Sequence, residues 1–204
     1  MKTQTLARFV PLAIALATLG AVCAATSAAV NFSPGTPEAE GVDSRAVSSV
    51  FSPQVRAWDP QIRRWAGAVG LDPNLVATVM QIESCGNPRA VSRSGAQGLF
   101  QVMPFHFSAG EDMQNPEINA RRGLTYLAES LLKSEGDIRR ALAGYNGGHG
   151  VIGWAETQWP SETKRYAYWG EGVYADAAAD RAVSPRLEEW LAAGGFSLCE
   201  EVSA

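Results

Sequence analysis

Asp72-Pro73-Asn74-Leu75-Val76-Ala77-Thr78-Val79-Met80-Gln81-Ile82-Glu83 is the stretch that decides the fold class of this chain. Asp72 is a good helix cap and Pro73 suits the first helical position, so the run opens as an α-helix. It is apolar almost all round, which predicts a helix buried inside a domain. Glu83 is the oddity. At helical spacing it shares one stripe with Leu75, Val76, Val79 and Met80. A carboxyl on that stripe must be neutralised, paired or used. Burial raises a carboxyl pKa, which lets the group hold a proton near neutral pH and act as a general acid. The competing reading is structural: Glu83, at the helix end, reaches solvent or meets an arginine such as Arg89 or Arg93.

Helix signals continue on both sides. Asp59-Pro60 opens a segment carrying Ile62, Trp65, Ala66 and Val69, and Gly70 stops it. Cys85 to Gln97 is rich in Gly, Ser, Asn and Pro and reads as loop with at most a short extended hairpin. A short helix is expected from Leu99 to Met103, ended by Pro104. Asn115-Pro116 starts another, with Ile118, Leu124, Leu127, Leu131 and Leu132 on its inner face. Asp137 caps Ile138 to Leu142, which runs into a glycine-rich turn. Further helices are expected around Ile152 to Thr157, from Ser161 to about Tyr174, and after Ser184-Pro185. No strand pattern appears, so the reading is mainly α.

The chain has 204 residues, 46% of them apolar, which suits one domain with flanking segments. Lys2 and Arg8 precede an apolar stretch from Phe9 to Val22, and small residues follow from Ala24 to Ala29, the pattern of a signal peptide cut after Ala24 or near Ala28. The apolar run is short for a membrane-spanning helix. Val22 and Gly20 before Cys23 do not suit a lipid anchor. The expected organisation is a signal peptide at 1–24, a flexible N-terminal arm at 25–57, a helical domain at 58–178 and a C-terminal helix and tail at 179–204. Loss of Lys2 and Arg8 takes the formal charge from −4 to −6. An acidic protein is a poor partner for nucleic acid. Cleavage leaves Cys85 and Cys199, an even pair for which an oxidising compartment favours a disulfide over two separate thiols. His106 and His149 lie far apart in sequence and no paired-cysteine or calcium-loop pattern appears, so no metal and no cofactor are expected.

Chemistry concentrates in three blocks. Glu83-Ser84-Cys85-Gly86-Asn87-Pro88 runs through Ser92 into Gly95-Ala96-Gln97-Gly98-Leu99-Phe100-Gln101-Val102-Met103-Pro104. Ala141-Leu142-Ala143-Gly144-Tyr145-Asn146-Gly147-Gly148 comes next, then Trp159-Pro160-Ser161-Glu162-Thr163-Lys164-Arg165-Tyr166. In this order they resemble the signature of the lysozyme-like soluble lytic transglycosylases (SLT domain, glycoside hydrolase family 23), over about Trp58 to Asp176. The resemblance implies a lysozyme-like helical domain with a sugar-binding cleft, acting on peptidoglycan glycan strands. Glu83 would be the catalytic acid and base, Ser92 would contact the substrate N-acetyl group, and Gln101 with the Gly98-Leu99 backbone would form the groove wall. Tyr145 would sit near the catalytic carboxyl, Asn146 would shape its turn, Glu162 would assist binding, and Tyr166 would pack behind it or line the cleft.

By that resemblance, Glu83 protonates the oxygen between MurNAc and GlcNAc, the substrate acetamido group stabilises the oxocarbenium-like centre, and the C6 hydroxyl then closes a 1,6-anhydro sugar. Asp112 or Glu111 would be a second carboxylate if either folded back into the site. Two departures stand out: Phe100 in the groove wall, and Phe105-His106-Phe107 after Pro104. Trp159 and Trp169 are the candidates for sugar stacking, and His149 for an extra catalytic group. Two rival functions remain, a goose-type-like muramidase using water and a non-catalytic peptidoglycan-binding or assembly protein. The sequence names no envelope or secretion partner.

Overall fold

The computed structural model describes residues 46–201. The signal peptide expected at 1–24 and the arm up to residue 45 lie outside them. Eight α-helices are described: α1 (Pro53–Arg56), α2 (Asp59–Val69), α3 (Pro73–Ser84), α4 (Pro116–Lys133), α5 (Ile138–Gly147), α6 (Ser161–Ala178), α7 (Pro185–Trp190) and α8 (Phe196–Glu201). Short 3-10 turns occupy Pro104–His106, His149–Gly153 and Glu156–Gln158. Among the described residues there is no strand, only isolated bridges between Val91 and Gln97 and between Gln97 and Val102.

The caps act as the sequence predicts. Asp72 accepts from the Asn74 amide, Asn115 from the Glu117 and Ile118 amides, Asp137 from Arg140 and Ser184 from Leu187. Each satisfies a backbone donor that a helix start leaves open. Gly70 ends α2 in the left-handed conformation. α3 is the central helix, buried continuously from Leu75 to Ile82. It packs against α1, α2 and α6, while α4 and α5 close the other side through α2 and α6.

Three expectations are corrected. The arm of 25–57 is not loose at its C-terminal end. Val47, Phe51 and Val55 recur every four residues and are buried in the core. The segment is further tied by backbone amides, from Val47 to Asp59, Ser48 to Asn74 and Ser52 to Gln81. Leu99 to Met103 is a turn rather than a helix, because Gln97 and Val102 pair across it, and the 3-10 turn begins at Pro104. Leu132 lies outside the inner face of α4 and is 80% exposed. The C-terminal helices belong to the same core, with Leu187, Trp190 and Cys199 buried.

Candidate active site

Glu83 occupies the last turn of α3, one residue before Ser84 and two before Cys85. Cys85 takes a left-handed conformation (φ 50°) that ends the helix and turns the chain into the groove loop. The Glu83 side chain is partly open to solvent. Burial by the protein around it pushes its pKa up to about 8, the nearby Glu162 charge pushes the same way, and the Tyr166 hydroxyl opposes them. The C-terminal end of a helix also disfavours negative charge. Neither Arg89 nor Arg93 is among the groups that act on the Glu83 carboxyl. The reading of Glu83 as paired with an arginine is therefore corrected, while its reach to solvent is kept in part, since the residue is half-buried.

Tyr166 lies on α6 and is buried. Its hydroxyl is near enough to Glu83 to favour the ionised carboxyl, yet it closes no hydrogen bond of ordinary geometry. A buried donor left open beside a carboxyl is unusual. Tyr145, on α5, stacks at 6.5 Å from Tyr166. Its hydroxyl donates to the Phe100 carbonyl at 2.7 Å, so it holds the groove loop rather than the acid. Asn146 accepts from the Thr163 hydroxyl at 2.9 Å and thereby ties the second sequence block to the third. Glu162, in the first turn of α6, is exposed.

The groove loop is held from within. Ser92 accepts from the Ala96 amide and exchanges a hydrogen bond with Ser94, which shapes the turn below the groove. Gln101, at φ 43°, donates its side-chain amide to the Ala90 and Gly98 carbonyls. The Leu99 side chain is fully buried, and its carbonyl accepts from the Ser84 hydroxyl. The whole residue is closed off from solvent, so the expectation that it lines the groove is corrected. Gly98 has φ 71°, and a Cβ there would lie 2.6 Å from the Asn119 amide nitrogen.

Asn119 is the functional-site residue the sequence reading missed. Fully buried on α4, it donates to the Gln97 and Met113 carbonyls and accepts from the Phe100 amide. A polar residue on the inner stripe of α4 was the signal. Trp58 acts similarly, donating its indole N–H to the Gly86 carbonyl behind Glu83.

Several expectations are not met by the geometry. Phe100 is core rather than groove wall, packed edge-on against Trp65. Trp159 is 4% exposed and donates to the Val151 carbonyl, so it offers no stacking face. Trp169, by contrast, is only half-buried against the core on α6 and keeps part of its surface open. Glu111 is held by Arg121 and Arg122, which keep its carboxyl below the usual range. Asp112 accepts from the Gln114 amide in its own loop. His149 turns its ring onto Tyr126. The structure joins Cys85 to Cys199 in a disulfide, fastening α8 behind the helix end that carries Glu83. Among the described residues no cluster of three or more His, Cys, Asp or Glu side chains could hold a metal ion.

The profile of the transglycosylase SLT domain matches residues 60–167, more than half of the chain. A transglycosylase of Enterobacteria phage PRD1 is 39% identical over 111 residues, covering 53% of this chain and 40% of the phage protein. An endo-type membrane-bound lytic murein transglycosylase A of Klebsiella pneumoniae is 36% identical over 86 residues, 35% of this chain and 41% of the relative. A membrane-bound lytic murein transglycosylase C of Actinobacillus pleuropneumoniae is 28% identical over 130 residues, 53% of this chain and 35% of the relative. The chain thus spans less than half the length of each.

Proposed function

The chain belongs to the transglycosylase SLT domain family, and from that premise we propose that it is a lytic transglycosylase that cleaves the β-1,4 bond between MurNAc and GlcNAc in peptidoglycan. One observation carries the reading: the Glu83 carboxyl ends the buried helix α3, and burial pushes its pKa up to about 8, so that it can hold a proton near neutral pH. Glu83 delivers its proton to the glycosidic oxygen as the bond to C1 breaks. The substrate acetamido oxygen stabilises the positive charge at C1. The Glu83 carboxylate then takes the proton of the C6 hydroxyl as that oxygen bonds to C1. The proton balance closes on one residue, the product is 1,6-anhydroMurNAc, and no water is consumed.

Glu111 and Asp112 both have partners elsewhere, which supports a one-carboxylate mechanism. The open Tyr166 hydroxyl supports a role in steadying Glu83 when it is ionised between the two halves of the reaction. Gln101 and Ser92 form the wall along which the glycan lies, backed by the buried Gly98-Leu99 turn, with Tyr145, Asn146 and Glu162 on the facing side. The peptidoglycan substrate agrees with the names of the bacterial relatives, which are lytic murein transglycosylases. Export to the envelope is supported by the Cys85–Cys199 disulfide, since such bonds persist in oxidising compartments. Among the described residues no helix is long and apolar enough to cross a membrane.

The test is mass spectrometry of muropeptides released from purified peptidoglycan by the full chain and by Glu83→Gln. The expected result is anhydro-MurNAc ends from the first and at least a ~10²–10⁴-fold loss in the second, the usual worth of a general acid. Reducing ends would assign a muramidase instead. No product from a folded chain that still binds glycan would leave a non-catalytic binding protein.

A further inference from the structure

The chain has two histidines, separated by 42 residues in sequence, and the fold brings both to one tyrosine. His149 stacks flat on Tyr126, with ring centroids 4.0 Å apart and 9° between planes. His106 lies 4.8 Å from the same ring, and Phe105 lies 4.4 Å from His106. The four rings come from three places: Phe105 and His106 from the 3-10 turn after the groove loop, Tyr126 from α4, and His149 from the turn after α5.

The cluster is at the surface. Phe105 is 75% exposed, and the other three rings are half-buried. A lone exposed phenylalanine means little, because folded proteins expose much apolar surface. This one is the outer ring of an ordered stack whose other members carry polar atoms. It is also held rigidly. Pro104 opens the turn, the His106 and Phe107 amides close it onto Met103 and Pro104, and Phe107 packs against the core. His149 is fixed by its Nε2, which lies 3.0 Å from the Ser130 hydroxyl. Burial and the neighbouring His149 hold the His106 pKa down, against the opposing pull of the Glu129 carboxylate. His106 therefore presents an uncharged aromatic face at neutral pH.

The stack is continuous with the candidate active site. Tyr126 meets Tyr145 edge-on at 5.9 Å, and Tyr145 stacks on Tyr166 beside Glu83. Rings with apolar faces and polar edges suit pyranose rings, whose C–H faces stack while their hydroxyls bond. We propose that Phe105, His106, Tyr126 and His149 form a stacking platform for a further N-acetylhexosamine ring of the glycan strand, a subsite beyond the one at Glu83. It rests on the reading of Glu83 as the centre of a glycan groove. The platform makes binding depend on strand length: a strand reaching from Glu83 past Tyr145 gains the stacking contact, and a shorter one does not.

The test uses the full chain without a histidine tag, carrying Glu83→Gln so that substrate survives. Purified glycan strands of graded length are titrated by calorimetry, and the imidazole proton signals are followed by NMR. Since His106 and His149 are the only histidines, both signals report on the platform. The expected result is a gain in affinity beyond a threshold length, with both signals shifting only for strands above it. Phe105→Ala removes an exposed ring, so it should fold, as an unchanged melting temperature would show. It should cut long-strand affinity roughly three- to tenfold, the range that one aromatic contact is worth, and Phe105→Trp should restore it. A length gain that persists in Phe105→Ala and leaves the histidine signals still would overturn the platform, with the reading of Glu83 intact if the parent chain releases anhydro products. Absence of both product from the parent chain and glycan binding to Glu83→Gln would overturn that reading and the platform with it.

Discussion

Glu83 puts function and stability in opposition within one side chain. Its pKa in the folded protein, about 8, lies above the ordinary carboxyl value that applies when the chain is unfolded. The stability it contributes is complete at low pH and is lost progressively as pH rises from about 4 through about 8. Glu83→Gln should therefore be the more stable protein at pH 7, by about 3 kcal/mol, and thermal melts across that window should show the gap opening with pH. A gap independent of pH would mean that the carboxyl is not held protonated. The same value governs catalysis, so kcat/KM on soluble glycan should fall above about pH 8. Neighbouring residues should move that limb in opposite directions. Glu162→Gln removes a like charge and should shift it to lower pH, whereas Tyr166→Phe removes a hydroxyl that favours the ionised form and should shift it upward. Two shifts of the same sign would refute the assigned contacts.

At the scale of the element, the groove loop is rigid because a helix grips it. Asn119 reaches from α4 to hold Gln97, Met113 and Phe100, and Gly98 leaves the space it needs. Gly98→Ala adds both a left-handed strain and a clash with an amide that three hydrogen bonds prevent from moving. It should cost about 2–4 kcal/mol in denaturant unfolding and reduce product release. Gly95→Ala in the same loop is the control. Its φ is 89° but nothing lies within reach of the added Cβ, so only the backbone strain of about 1 kcal/mol is expected. Equal losses would show that strain, not the Asn119 grip, sets the cost. Asn115, Pro116 and the apolar spacing were enough to read α4 from sequence. The grip was not legible, since a buried asparagine shows what it holds only once the loop is folded over it.

For the whole molecule, the disulfide links the helix end that carries Glu83 to the final helix, 114 residues on. Gln81 donates toward both sulfurs, and Gln54 from α1 bonds the Cys199 carbonyl, so both ends of the described chain converge there. Replacing both cysteines by serine should lower stability by about 2–4 kcal/mol. Amide exchange should accelerate first in α8 and in α1, whose anchors meet at this point. Uniform acceleration throughout the domain would mean that the bond only restricts the unfolded chain.

Helices α2 to α7, the caps of α3, α4, α5 and α7, the buried α3 and the acid at its end followed from sequence by itself, because caps and 3.6-residue periodicity are local chemistry written within a few residues. The three blocks around Glu83, Tyr145 and Glu162 were legible for a similar reason: each is a contiguous run. What the tertiary structure alone decided is which of these residues face the groove. Leu99 and Phe100 turned inward, Trp159 became core, and the segment from Val47 to Val55 packed where its composition read as loose arm. Inward and outward are properties of packing between distant segments, and burial competes for every apolar ring in the chain. The meeting of His106 and His149 on Tyr126 has the same origin. No local pattern relates three loops and helices that only the folded core brings together.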